Sequence, residues 1–111
     1  MTAELQALVG DRIQASPEQI ADFCQRWKIV ELALFGSVLR DDFRPDSDID
    51  VLVTFTPHPG WSLFDQVDMR EELEMLLGRK VDVARKKNLK NPYRRQEILN
   101  TYRVLYASEQ A

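Results

Sequence analysis

Val30-Glu31-Leu32-Ala33-Leu34-Phe35-Gly36-Ser37, ten further residues, and then Asp48-Ile49-Asp50-Val51-Leu52-Val53-Thr54-Phe55 form the stretch that decides how this 111-residue chain folds. Each apolar run is of strand length and is bounded by turn residues. The first, Val30 to Phe35, ends at a Gly-Ser pair. The second, Ile49 to Phe55, is preceded by the polar segment Asp41 to Ser47, where Pro45 argues for a loop, with room for one helical turn from Val38. Residues two apart on a strand share a face. Asp48 and Asp50 therefore project together, and Ile49, Val51, Val53 and Phe55 form the apolar face behind them.

Two carboxylates side by side repel unless something positive lies between them, and hard divalent cations take oxygen ligands of this kind. A third candidate follows in Lys80-Val81-Asp82-Val83-Ala84, where an Asp again stands opposite a Val-Val face. Each piece alone has a plainer reading as a turn residue. Together, at roughly 5–7% usage for each residue type, four fixed residues at fixed spacing arise by chance in about one chain in a thousand. Gly36 lets the backbone approach a phosphate because it has no Cβ, and Ser37 offers a hydroxyl to a β- or γ-phosphate oxygen. No Gly-Lys-Ser/Thr follows, so this is not a P-loop. Three carboxylates, a glycine turn and a hydroxyl are minimum equipment for metal-assisted transfer from a nucleoside triphosphate.

Working outward, Ser16-Pro17-Glu18-Gln19 reads as a helix start with a capping box. Ile20, Phe23, Cys24 and Trp27 then recur at helical spacing as a core stripe. Pro57-His58-Pro59-Gly60 is a turn, which makes His58 exposed and not catalytic. Ser62 caps a helix that Gly78 ends; its apolar side is expected to be Leu63, Val67, Leu73 and Leu77, interrupted by Arg70, with Asp65, Asp68, Glu71 and Glu72 on its other side. Val81 to Ala84 is the third strand, Asn91-Pro92 opens a last helix to about Thr101, and Val104 to Tyr106 is a short fourth strand. The fold class is α/β (α+β), a small mixed sheet backed by helices.

Composition agrees: 44% hydrophobic and 30% charged residues are ordinary for a globular domain. One domain over residues 1–111 is expected, with its core about 30–106. No apolar run nears the ~20 residues that span a bilayer. Cys24 is the single cysteine and reads as a small core residue. With no signal-peptide pattern at the N-terminus, a cytoplasmic location is the expectation. The net charge of −3 hides six basic residues and no acid between Arg85 and Arg95, leaving −9 elsewhere. Such a segment suits a triphosphate or an acidic partner surface, and is too short for extended nucleic-acid binding.

Phe35-Gly36-Ser37-Val38-Leu39-Arg40, Pro45 to Val53 with its Asp48-Ile49-Asp50, and Leu77-Gly78-Arg79-Lys80-Val81-Asp82-Val83 resemble the nucleotidyltransferase superfamily whose palm-like fold is shared with DNA polymerase beta. In finer detail they resemble the minimal nucleotidyltransferase (MNT) antitoxins of HEPN/MNT toxin–antitoxin pairs. The similarity spans about Val30 to Tyr106. One departure is Leu39-Arg40-Asp41, where members often carry Ala-Arg-Gly; it removes no metal ligand. The resemblance implies ATP as substrate and Mg²⁺, two ions, held by Asp48, Asp50 and Asp82, which are also the catalytic residues. It implies nucleotide contacts from Gly36, Ser37 and Arg40, and a cognate HEPN ribonuclease toxin whose tyrosine hydroxyl receives AMP. Asp82 reads as acceptor-side ligand, as base, or as both. Two other readings stand beside this one: a non-catalytic antitoxin that masks its toxin by binding, and a stand-alone small-molecule or RNA nucleotidyltransferase.

Overall fold

The computed structural model describes residues 12–108 and, before them, Ala3, Ala7 and Gly10. The elements follow in the order α1 (Pro17–Arg26), β1 (Ile29–Phe35), a 3-10 turn (Gly36–Leu39), β2 (Ile49–Phe55), α2 (Leu63–Leu77), β3 (Val81–Arg85), a second 3-10 turn (Lys86–Asn88), α3 (Pro92–Thr101) and β4 (Arg103–Ala107). The four strands form one sheet in the order β3-β2-β1-β4. β1 runs antiparallel to both β2 and β4, whereas β2 and β3 are parallel. The parallel pair requires a crossover, and α2 is that crossover. The expected mixed α/β sheet is therefore present, and the turn expected from Val38 begins at Gly36.

Local chemistry sets the helix ends. The Ser16 hydroxyl accepts from the Gln19 amide while the Gln19 side chain accepts from the Ser16 amide, closing the capping box of α1. Ser62 and Asp65 do the same for α2, and Gly78 ends it at φ 78°. One face of the sheet, with Leu32, Leu34, Ile49, Val51 and Val53, packs against Ile20, Phe23 and Cys24 of α1 and Met69, Leu73 and Leu77 of α2. The opposite face carries a smaller apolar group, Ala33, Phe35, Leu52 and Ile98, under α3. Burying each large side chain fully contributes about 1.5–3 kcal/mol, so the larger group dominates stability. Leu73→Ala, at the centre of the α2 seam, is expected to cost about 2–5 kcal/mol. Trp27 closes the end of α1 with its ring packed against that core and edge-on to Trp61, centroids 5.1 Å apart.

One expectation is corrected. Leu63 and Val67 do not face the core: they are 78% and 44% exposed, and Met69 takes their place beside Leu73 and Leu77. At about 100° per residue, Leu63 and Val67 lie roughly 80° and 120° round the helix from the Met69–Leu73–Leu77 seam. α2 thus carries two apolar surfaces, and the sequence pattern merges them.

Candidate active site

The sheet register brings the expected residues to one end of the α3-side face. Asp50 is paired across the ladder with Phe35 of β1 and with Asp82 of β3. Asp48 precedes β2 by one residue, and Gly36 follows β1 directly. The Gly36 turn lies so close to Asp50 that a Cβ built on Gly36 would stand 2.3 Å from Asp50 Oδ2 and 3.2 Å from Cγ. Gly36 is also at φ 75°, in the left-handed region that favours glycine. Two independent constraints, backbone angle and close approach, therefore require glycine where the turn meets the central carboxylate.

Burial pushes the Asp50 carboxyl above the ordinary aspartate range. The negative charge of Asp82 adds to this, Arg94 opposes it, Asp48 adds again and Arg40 opposes. Asp48, Asp50 and Asp82 are thus electrostatic neighbours with incompletely balanced charge. Asp48 and Asp82 are exposed, while Asp50 is half-buried. Among the described residues no three acidic, His or Cys side chains stand in a preformed cation cage. The donor set of Asp48, Asp50 and Asp82, all carboxylate oxygen, fits a hard divalent cation.

Ser37 sits in the 3-10 turn with its carbonyl accepting from the Arg40 amide at 2.9 Å. Arg40 is exposed and pairs through Nε with Asp42 at 3.1 Å. An exposed pair of this kind is worth about 0–1 kcal/mol, so it yields readily to a more strongly charged phosphate. The loop between Gly36 and Asp48 is braced by groups that local sequence reading misses. Arg12 Nη1 donates to the carbonyls of Val38 at 2.8 Å and Arg40 at 2.6 Å. Arg79 Nη1 donates to the carbonyl of Pro45 at 2.8 Å. Both guanidinium groups lie against the Phe43 ring, at 5.2 and 4.6 Å from its centroid. These contacts join residues far apart in the chain and have no local sequence signal.

The basic segment is divided in its duties. Arg85 stacks on Phe55 at 4.7 Å, Lys86 pairs with Glu31 at 2.7 Å, and Arg95 Nη1 donates to the Lys86 carbonyl at 2.6 Å. Arg94, in the first turn of α3, is the member whose charge reaches Asp50. It joins the site as a residue that the segment's composition suggested without singling out. His58 is exposed, as expected for its turn, and holds φ 53°. Among the described residues no helix is long and apolar enough to cross a membrane.

The sequence signature of the nucleotidyltransferase domain family matches residues 17–105. The protein adenylyltransferase MntA of Thermococcus cleftensis is 40% identical over 67 residues, which cover 60% of this chain and 66% of that protein. A solved structure described as a minimal nucleotidyltransferase superposes with a TM-score of 0.63 at 36% identity, covering 78% of this chain and 86% of the other. The MNT antitoxin solved in complex with a tri-AMPylated HEPN toxin of Shewanella oneidensis superposes with a TM-score of 0.57, covering 85% of this chain and 71% of that one. At 19% identity, that last likeness is one of fold.

Proposed function

Since the chain belongs to the nucleotidyltransferase domain family, we propose that it is an antitoxin protein adenylyltransferase. It moves AMP from ATP to a tyrosine hydroxyl of a cognate HEPN ribonuclease toxin and thereby neutralises it. The observation that carries this reading is the fit of the Gly36 turn against Asp50, with Asp82 its ladder partner on β3. A phosphate-approaching turn and a cluster of carboxylates share one point of the sheet, as transfer from a triphosphate requires. Kinship with proteins named as adenylyltransferase and MNT antitoxin supports the acceptor class.

In this mechanism Asp48, Asp50 and Asp82 would hold Mg²⁺, which would neutralise triphosphate charge and lower the pKa of the acceptor hydroxyl. The Gly36 turn gives the triphosphate access to the backbone, the Ser37 hydroxyl donates to a β- or γ-phosphate oxygen, and Arg40 balances phosphate charge. The tyrosine oxygen attacks the α-phosphorus in line, and the bond from that phosphorus to the bridging oxygen breaks. Pyrophosphate leaves, AMP remains on the tyrosine, and the hydroxyl proton passes to Asp82. Asp82 suits that role because it alone of the three lies on the edge strand β3 and lines the open cleft beside it.

The test is the intact mass of the HEPN toxin after incubation with this protein, ATP and Mg²⁺. The toxin should gain mass in AMP units at substoichiometric enzyme and stay inactive once separated. An unchanged mass, with protection by the triple Asp48/Asp50/Asp82→Ala variant at a one-to-one ratio, would reject transfer in favour of masking.

A further inference from the structure

Beside Asp82 opens a cleft of about 690 Å³ that does not include Gly36, Ser37, Asp48 or Asp50. Four consecutive residues of β3, Asp82 to Arg85, line it. Successive strand residues point to opposite faces, so a cleft touched by all four runs along the strand's outer edge and not over either face. β3 is the terminal strand of the sheet, bonded on its inner side to β2. Its outward N–H and C=O groups therefore face the cleft, in the manner of an edge that accepts another strand. One wall is the start of α2, where Leu63 and Val67 present the apolar surface that the core does not use. Arg70, Arg85 and Arg94 give the cleft positive charge, against the single carboxylate Asp82.

We propose that this cleft docks the acceptor as an extended, acidic polypeptide segment, which adds to the outer edge of β3 and delivers its hydroxyl-bearing residue to Asp82. The proposal rests on the transfer reading above and names how that site takes its protein substrate. Strand addition supplies main-chain hydrogen bonds, and wall pockets select alternate side chains. Leu63 and Val67 meet the apolar positions of the segment, and the three arginines meet its carboxylates. The positive charge is local on a chain of net charge −3, so it selects an acidic segment at this point of the surface. The Val81 N–H is already taken by Glu74 Oε2 at 2.9 Å, so the edge on offer is Asp82 to Arg85, about 13 Å at ~3.3 Å per residue. The outer end of that path lies by Asp82, the carboxylate assigned to the acceptor.

The test compares the Leu63→Asp/Val67→Asp variant and, separately, Arg70→Glu with the wild type. All three side chains are exposed, so the fold should tolerate them, and thermal unfolding checks that it does. Affinity for the purified HEPN toxin is measured without ATP, then KM and kcat for AMP transfer, and binding of ATP with Mg²⁺. Toxin affinity should fall and toxin KM rise by about tenfold or more, the scale of losing a central apolar contact, with kcat at saturation and ATP affinity essentially unchanged. Met75→Asp, at a position 84% exposed and outside the cleft, should change none of these. Amide exchange should slow at outward-facing β3 residues when toxin binds. Wild-type toxin affinity and KM in the double Asp variant would overturn the proposal, and so would a loss of ATP binding, which would give the cleft to the nucleotide. If the wild type binds toxin but adds no AMP, the transfer reading fails, and the affinity measurements still decide the docking site.

Discussion

Gly36→Ala tests the site at its tightest point. The new Cβ would lie 2.3 Å from Asp50 Oδ2, where ordinary contact begins at 3.4 Å, so the carboxylate must retreat by about 1 Å. A carboxylate at the end of a side chain can do so, which limits the folding cost mainly to placing a non-glycine residue at φ 75°. That cost is about 1–2 kcal/mol, or a melting temperature lower by roughly 5–10 °C for a domain of this size. Turnover should suffer far more, because a displacement of about 1 Å in a reacting constellation costs on the order of a hundredfold. Gly60→Ala is the control. Gly60 sits at φ 82° with nothing within 4 Å of its would-be Cβ, so it should lose similar stability and keep its rate. AMP transfer to the toxin, followed by intact mass at saturating ATP, gives the rates, and a thermal melt gives the stability. Wild-type turnover in Gly36→Ala, or an equal loss in Gly60→Ala, would refute the claim that this glycine exists to let the turn meet the carboxylate.

Asp48→Ala or Asp50→Ala should each lower transfer by at least about a hundredfold, the scale of losing a transition-state charge stabiliser, with circular dichroism unchanged; near-normal turnover in either would remove the two-carboxylate assignment. Asp82→Asn should lower kcat far more than ATP affinity, and an equal loss of ATP binding would move Asp82 into the nucleotide site. Because the folded Asp50 carboxyl titrates above its unfolded counterpart, its ionisation costs the fold stability as pH rises through the raised folded value. Asp50→Asn should therefore melt higher than wild type at pH 7 without added metal, with the gap closing below the ordinary aspartate pKa; a pH-independent gap would exclude this cause. Burial pushes the Cys24 thiol up to about 12, so iodoacetamide at pH 8 should leave it unlabelled in the folded protein, and rapid labelling would reveal that the seam between α1 and the sheet opens.

Legibility in the sequence followed the range of the forces involved. The strands, the capping box of α1, and the Ser62 cap and glycine stop of α2 are written in neighbouring residues, and each has the place expected of it. The parallel pairing of β3 on β2, which makes Asp82 the ladder partner of Asp50, depends on how α2 crosses over and has no local signal. The Arg12 and Arg79 grip on Phe43 is hidden for the same reason, as is the reach of Arg94 to Asp50. The misreading of α2 has a different origin. An amphipathic stripe is inferred on the premise that a helix has one apolar surface to bury, and α2 has more apolar side chains than its own core takes. Where such a pattern fails to serve the fold, a functional surface is the expected cause. The two side chains misassigned to the core, Leu63 and Val67, are those that line the cleft beside Asp82. Keeping them apolar while exposed carries a solubility cost that folding does not explain, and a protein acceptor seated against them removes it.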